Sequence, residues 1–224
     1  MSKKENNWER IYFENPSYRN YYPYDEVVTF IYSNFKKKIN KKILEIGCGT
    51  GNNICFLAEN GFDVYGYDSS KTAVEYANNQ LKKRKLKSKI TVNTFNNYKY
   101  QNYFFDAVID RSSLTCADYK TIKKTINKVH HSLKKGGLFF FTPFSDESSR
   151  CYGAQDKKGL LVPKFLPLGE KDKRNLGFSF LSKKDIFNFF PENKWAIKKF
   201  YLKKQINIIN NFCYSYFHVE LKKK

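Results

Sequence analysis

The sequence predicts an α/β fold of the doubly wound type, in which helices cover both faces of a mostly parallel, seven-stranded sheet. Two observations carry this prediction. Short apolar runs of strand length alternate with segments whose apolar residues recur at helical spacing. Two longer apolar segments joined by a polar turn then close the chain, which predicts a C-terminal antiparallel β-hairpin.

The expected strands and helices follow one another without a flexible linker or an internal repeat. Five strands are expected at residues 42–46, 63–67, 90–92, 107–110 and 138–142. Helices are expected at residues 52–60, in the stretch that Ser69 or Ser70 can cap, and at residues 119–134. Gly136 and Gly137 are expected to end the third of these helices, because glycine commonly terminates a helix.

One domain is expected to span residues 1–224, with its regular core at residues 40–142. Residues 1–35 are rich in aromatic side chains ahead of an amphipathic helix, and residues 143–181 contain several prolines and glycines, which predicts an insertion of loops. Residues 182–224 are expected to form a short helix near 182–190 and the hairpin strands 195–203 and 212–221.

Composition and cysteine usage narrow the class of protein. The N-terminus lacks an apolar segment of the signal-peptide kind, and the longest apolar run is too short to span a bilayer. Five cysteines form no CxxC pair, which argues for reduced thiols and against a zinc site. We therefore expect a cytoplasmic protein without a bound metal and without a membrane partner. The sequence does not predict an oligomeric state.

The formal net charge of +20 raises the question of a nucleic-acid partner. Only six of the 41 basic residues are Arg, the residue that gives bidentate phosphate and base contacts. Lys, Asn, Tyr, Phe and Ile are all abundant and have AT-rich codons, so genome bias alone can raise the lysine count. The lysines are also spread along the chain. A nucleic-acid partner is therefore possible but not favoured.

The segment ILEIGCGTGNN, residues 43–53, carries the chemistry. A strand enters a glycine turn that opens a helix, so a ligand can approach the backbone and meet free N–H groups. Asp68 ends the next strand, where an acidic side chain can bind both hydroxyls of a ribose.

A dinucleotide fold needs a third glycine where this chain has Asn52, and it usually has an apolar residue in place of Glu45. A carboxylate there can hold an ammonium group, which S-adenosylmethionine has and NAD lacks.

Four segments resemble, in register, motifs of the class I S-adenosylmethionine-dependent methyltransferases. They are LEIGCGTG, VYGYD, YFFDAVIDRSSLT (103–115) and SLKKGGLFFF (132–141). The resemblance implies a Rossmann-like fold and this cofactor. It implies that the methionine part of the cofactor is cradled by Glu45, Gly47, Cys48, Gly49, Gly51 and Asn52. It places the ribose on Asp68 with Ser69 beside it, and the transferred methyl group next to Arg111 and Ser112.

The chain departs from the family at the adenine, where relatives often have an acid after the third strand. Asn96 is expected to accept the same hydrogen bond, and Phe95 to pack on the ring. Trp8 and Tyr12 resemble the N-terminal W-x-x-x-Y lid of small-molecule methyltransferases, although they are as readily interpreted as covering an edge of the core.

The methyl acceptor is expected to be a small molecule, because no RNA-binding domain is appended and DRSS replaces the [DN]-P-P-[YF] signature. The insertion at 143–181 follows the fifth strand, and we expect Arg150 and Tyr152 from it to contact the acceptor. In-line transfer in a dry pocket needs no obligatory base, and none is predicted. An RNA methyltransferase, a protein methyltransferase and a non-catalytic binding protein remain as alternatives.

Overall fold

The structure, a computed structural model, describes residues 7–36, 40–152, 154–155, 161–162 and 177–224. The strands in chain order are β1 (Lys42–Ile46), β2 (Asp63–Asp68), β3 (Lys89–Val92), β4 (Phe105–Asp110), β5 (Leu133–Phe141), β6 (Ala154–Gln155), β7 (Leu161–Val162), β8 (Trp195–Ile206) and β9 (Cys213–Lys223). The α-helices are α1 (Asn7–Glu14), α2 (Asp25–Asn34), α3 (Asn52–Glu59), α4 (Lys71–Lys83), α5 (Tyr119–Ser132) and α6 (Lys183–Phe189).

Seven of the strands form one sheet in the order β3-β2-β1-β4-β5-β9-β8. The five strands from β3 to β5 are parallel, whereas β9 runs antiparallel to both β5 and β8. The strand order reverses direction between β1 and β4, so the carboxyl ends of these two strands border the crevice where ligands bind in such sheets. The predicted fold, including the C-terminal hairpin, is confirmed.

The two faces of the sheet are covered by different helices, because successive side chains of a strand point to opposite faces. On one face, Ile43 of β1 belongs to the core that includes residues of α2, α3 and α4. On the other face, Leu44 belongs to the core that includes residues of α5 and α6. A third, smaller cluster joins Ile11 of α1 to Phe144, Phe178 and Tyr216 beyond the carboxyl edge.

The junction between α5 and β5 corrects the sequence prediction. The helix ends at Ser132, and the strand begins at Leu133 rather than after the two glycines. Leu133 pairs with Phe105 of β4, and its carbonyl accepts a hydrogen bond from Lys223 Nζ at 2.7 Å. Gly136, with φ of +74°, lies where β5 carries more residues than β4, so the glycines accommodate a bulge instead of capping a helix.

Other boundaries differ by a few residues. The strands β3 and β4 begin earlier than predicted, and both hairpin strands are longer, since β8 continues to Ile206 and β9 continues to Lys223. Within the described part of the chain, no helix reaches the length and apolarity needed to cross a bilayer.

Candidate functional site

The glycine turn lies at the carboxyl end of β1, where Gly47, Gly49 and Gly51 have φ angles of 61°, 50° and 79°. Side chains other than glycine rarely adopt this left-handed conformation. A Cβ at position 47 would collide with Ser113, and one at position 49 would lie 2.7 Å from the Tyr12 hydroxyl. Both a positive φ and close neighbours therefore require glycine at these two positions.

Asp68 connects the glycine turn to the start of α4. Its Oδ2 accepts the Gly49 N–H at 2.9 Å, and its Oδ1 accepts the Ser70 N–H at 2.9 Å. The carboxyl is buried, and burial raises its pKa although the backbone donors lower it. Each carboxylate oxygen keeps further acceptor capacity, so the group can bind ligand hydroxyls without giving up its backbone contacts.

Glu45 is a buried carboxyl in β1 with one satisfied and one unsatisfied oxygen. Its Oε1 accepts Asn53 Nδ2 at 2.7 Å, whereas Oε2 has no hydrogen-bond partner among the described residues. Burial is the main reason that its pKa rises to about 8, and the nearby Asp110 and Asp68 contribute. A buried acceptor without a donor is unfavourable, so this oxygen suits a ligand that brings a donor.

The asparagines at the start of α3 hold the segment that precedes α2. Asn52 Nδ2 donates to the Tyr22 carbonyl at 2.8 Å, and Asn53 Oδ1 accepts the Tyr24 N–H at 3.0 Å. The side chain of Asn52, predicted to contact the cofactor, is thus engaged in this contact. Cys48 is buried in the turn, and its N–H donates to the Tyr67 carbonyl at 3.0 Å.

Helix α1 lies against the glycine turn and brings both predicted lid residues with it. The rings of Trp8 and Tyr12 are 5.8 Å apart, and the Tyr12 hydroxyl faces Gly49. Burial, with the nearby Asp68 carboxyl as a further cause, raises the pKa of Tyr12 well above its ordinary value. Tyr12 therefore lies against the glycine turn with Trp8 beside it, and the lid role of both stays a prediction.

Glu9 anchors α1 to α4, a contact that the sequence analysis missed. Its carboxylate accepts hydrogen bonds from Ser70 Oγ at 2.6 Å, Thr72 Oγ1 at 2.6 Å and the Thr72 N–H at 3.1 Å. Burial raises the pKa of Glu9, but the hydrogen bonds from Ser70 and Thr72 together outweigh burial and lower it. An acid at a helix N-terminus also interacts favourably with the helix dipole. The pairing joins residues about sixty positions apart, which no local pattern indicates.

The residues expected near the adenine occupy different settings. Phe95 is half-buried against Tyr67, with ring centroids 6.4 Å apart, whereas Asn96 is exposed. The carbonyls of both accept hydrogen bonds from Lys128 Nζ, at 3.1 and 2.8 Å. Ser69 is half-buried directly after Asp68.

Arg111 follows the last residue of β4 and is held in an ion pair that the sequence did not predict. Its Nε donates to Glu26 Oε2 at 3.0 Å, and its guanidinium lies 4.3 Å from the centre of the Tyr24 ring. Ser112, with φ of +58°, receives a hydrogen bond from Arg111 Nη1 at 2.7 Å and donates to the Thr142 carbonyl at 2.6 Å. A non-glycine residue with this φ is uncommon and concentrates at functional sites.

Asp110 is a second fully buried acid, at the carboxyl end of β4. Its Oδ1 accepts the Leu114 N–H at 3.0 Å and contacts the Ser113 hydroxyl, which also lies 2.8 Å from the Ile46 carbonyl. Burial raises the pKa of Asp110 to about 7. The Ser113 hydroxyl thus lies between the Ile46 carbonyl and the Asp110 carboxyl and joins the ends of β1 and β4.

The two residues expected to contact the methyl acceptor, Arg150 and Tyr152, lie in a 3₁₀ turn at Ser149–Tyr152. Their side chains fall outside the described part of the structure, as does most of the segment 153–176. The prediction for these two residues therefore stays a prediction.

A doubly wound sheet whose glycine turn faces an acid at the end of β2 defines a Rossmann-like nucleotide site. Residues 43–137 match the model of a family described as a methyltransferase domain. A protein of Geobacillus sp. (strain WCH70), named as a methyltransferase, is 26% identical over 123 residues, which make up 53% of this chain. The same match covers 50% of that protein, so the chain spans about half the length of this relative.

Solved structures show the same fold. An S-adenosylmethionine-dependent methyltransferase from Methanosarcina mazei is similar with a TM-score of 0.72 and 19% identity, over 90% of this chain and 98% of that one. Magnesium protoporphyrin IX methyltransferase from Synechocystis PCC 6803, with bound S-adenosylmethionine, gives a TM-score of 0.62 and 14% identity, over 100% and 86%. Residues 43–137 are thus similar to a methyltransferase domain, the fold is that of S-adenosylmethionine-dependent methyltransferases, and S-adenosylmethionine is bound in one of these solved structures.

Proposed function

We propose that this chain transfers the methyl group of S-adenosylmethionine to a small-molecule acceptor by in-line displacement. The observation that carries the proposal is Glu45 Oε2, a buried acceptor without a partner among the described residues, beside a glycine turn at the carboxyl edge of the sheet. The α-ammonium of the cofactor is a donor of the kind that this oxygen lacks. NAD offers no such group.

The residues around the turn fit the remaining parts of the cofactor. Asp68 would accept the two ribose hydroxyls while its backbone contacts to Gly49 and Ser70 hold it in place. Gly47, Cys48, Gly49 and Gly51 would line the methionine part, and Asn52 and Ser69 would lie beside it. Phe95 and Asn96 would border the adenine.

Catalysis is proposed to come from positioning and from the exclusion of water. When bound, the cofactor supplies a methyl group on a positively charged sulfur. Trp8 and Tyr12 would cover that group from above the turn, while Arg111 and Ser112 border it from the end of β4. A closed site that aligns its reactants lowers the barrier without an obligatory base, because alignment replaces the entropy cost of their encounter.

A small-molecule acceptor is supported by one structural neighbour, magnesium protoporphyrin IX methyltransferase, whose name gives a small molecule as its substrate. RNA is the second candidate, and the observation that favours it is the net charge of +20. The two candidates predict that the transferred methyl group is recovered in different fractions of a cell extract.

A calorimetric titration of S-adenosylhomocysteine and, in parallel, of NAD tests the cofactor site. We expect S-adenosylhomocysteine to bind and NAD to give no heat of binding. Only S-adenosylhomocysteine carries an ammonium group that can donate a hydrogen bond to Glu45 Oε2. Tighter binding of NAD would overturn the proposal. Thermal unfolding in the same samples should shift upward with S-adenosylhomocysteine alone, since a ligand of the native state stabilises it by mass action.

A further inference from the structure

A cavity of about 520 Å³ opens at the carboxyl edge of the sheet beside Arg111. Its volume lies in the range of small-molecule sites, about 300 to 1,000 Å³. The walls come from the start of α2, the end of β4 and the facing ends of β8 and β9. The residues that matter for its chemistry are Tyr24, Glu26, Arg111, Lys203, Tyr214 and Tyr216.

The inner wall is organised around Glu26, whose side chain is only 4% exposed. Its Oε2 accepts Arg111 Nε at 3.0 Å, and its Oε1 accepts the Tyr216 hydroxyl. Lys203 Nζ lies 3.7 Å from Oε1. Burial raises the pKa of Glu26, but the hydrogen bond from Tyr216 and the two cations outweigh burial and lower it, so the group is ionised at neutral pH.

One carboxylate therefore faces two cations on this wall. Arg111 is fixed between the rings of Tyr24 and Tyr216, at 4.3 and 5.5 Å, whereas the Lys203 side chain is 39% exposed and reaches the cavity from β8. Asp25 and Lys204 also line the cavity, but both are exposed, and Lys204 is paired with Glu147. Among the buried and half-buried charges of the lining, which are Glu26, Arg111 and Lys203, one positive charge is in excess.

The cavity also borders the cofactor site. Arg111 directly follows Asp110, which pairs in register with Ile46 at the end of β1. Ser113, two residues after Arg111, donates to the Ile46 carbonyl at 2.8 Å and lies against Gly47, which places Arg111 close to the glycine turn. A molecule in the cavity would therefore lie beside the methionine end of the cofactor.

We propose that this cavity binds the methyl acceptor and that the acceptor carries a carboxylate or phosphate group, held by Arg111 and Lys203. Tyr24, Tyr214 and Tyr216 complete the lining, and the Arg111 guanidinium lies between the rings of Tyr24 and Tyr216. This inference rests on the proposed function and makes it more specific. It places the acceptor against β8 and β9, rather than only against the segment 143–181 favoured by the sequence.

Ligand-observed NMR titrations with three small probes test the inference. Benzoate and phenyl phosphate carry the two anionic groups, and neutral benzamide has nearly the same shape as benzoate. With the protein saturated with S-adenosylhomocysteine, we expect at least one anion to bind about tenfold more tightly than benzamide, the size of one charge-assisted hydrogen bond.

Two lysine variants on the same strand provide the matched comparison. Lys203→Met should weaken anion binding about tenfold. Lys199 is also on β8, is similarly exposed at 34% and pairs with the buried Glu220 at 3.0 Å, but it does not line the cavity. Lys199→Met should therefore leave anion binding unchanged.

Benzamide binding as tightly as both anions, or anion affinity unaffected by Lys203→Met, would overturn the inference. The titrations are repeated without S-adenosylhomocysteine. A protein that binds the anions but not S-adenosylhomocysteine would contradict the proposed function and leave the anion site in place. A protein that binds S-adenosylhomocysteine but shows no preference for anions would contradict only the inference.

Discussion

Asp68 holds the backbone of Gly49 and Ser70 with the same two oxygens that are proposed to bind the ribose. Each carboxylate oxygen of Asp68 accepts a backbone N–H, and Asp68→Asn replaces one of these oxygens with an amide nitrogen that cannot accept a hydrogen bond. We expect S-adenosylhomocysteine affinity to fall about 10-fold to 100-fold, the size of one or two charge-assisted hydrogen bonds. Calorimetric titration measures the change.

Asp63→Asn is the control for this variant, because Asp63 begins the same strand and makes an exposed ion pair with Lys42 at 3.5 Å. It should leave the affinity unchanged. An Asp68→Asn protein that keeps the wild-type affinity would show that Asp68 is not a cofactor ligand. Far-UV circular dichroism separates loss of the ligand contact from loss of the fold.

The titration of Glu45 is expected to lower the free energy of unfolding as the pH rises. An unfolded glutamate titrates near pH 4.3, whereas the pKa of Glu45 in the folded chain is about 8. Between these values the folded state holds an additional proton, so the free energy of unfolding decreases as the pH rises through this window. Glu45→Gln removes the titration, and its melting temperature should exceed that of the wild type by more at pH 8 than at pH 5.

The same substitution should weaken S-adenosylhomocysteine binding, because the ionised carboxylate would no longer hold the ammonium. Glu59→Gln, at an exposed ion pair on α3, is the control and should change neither quantity. A melting-temperature difference that stays constant from pH 5 to pH 8 would contradict this account of Glu45. A gain in stability together with a loss of binding is typical of groups kept for function.

At the scale of elements, α1 is held beside the glycine turn by polar and by apolar contacts. Glu9 is bonded to Ser70 and Thr72 at the start of α4, and Ile11 adds an apolar contact with the cluster beyond the sheet edge. Glu9→Gln should loosen α1, raise hydrogen exchange across Asn7–Glu14 and weaken S-adenosylhomocysteine binding about threefold to tenfold, since a neutral acceptor bonds less strongly.

Glu14→Gln tests whether any change of charge in α1 has this effect. Glu14 lies on the same helix, and its pair with Arg10 is exposed at 3.7 Å. We expect its hydrogen exchange and its affinity to match those of the wild type. If both variants behave alike, Glu9 is not the anchor of α1.

The sequence analysis was most successful for those parts of the candidate site whose residues lie close together along the chain. The glycine turn and Asp68 could be predicted because a strand, a turn and a helix follow one another within residues 42–68. The contacts of Glu9 with Thr72 and of Glu26 with Tyr216 join distant parts of the chain, and no spacing indicates them. The start of β5 was wrong because Leu133 fits a helical pattern, yet its pairing with Phe105 decides its conformation.

At the scale of the whole molecule, the basic charge and the inner cavity suggest different acceptors. Many lysines of the described residues lie on solvent-facing positions of α4, α5 and β8, so the positive charge is distributed over several sides of the sheet. A distributed charge attracts any polyanion through counterion release, and that attraction falls steeply with salt. The excess charge on the inner wall of the cavity is screened less, because it is partly buried.

We therefore expect the salt concentration to distinguish RNA binding from methyl transfer to a small molecule. The protein and labelled S-adenosylmethionine are incubated either with total RNA or with a low-molecular-mass cell extract. Both incubations are carried out at about 50 and at about 200 mM salt. RNA binding should be lost at the higher salt without label entering RNA, while label should enter the small-molecule fraction at both. Nuclease-sensitive label that persists at the higher salt would instead show that RNA is the acceptor. Attraction by charge alone is screened at that salt concentration, so specific contacts with RNA would be needed to explain the labelling.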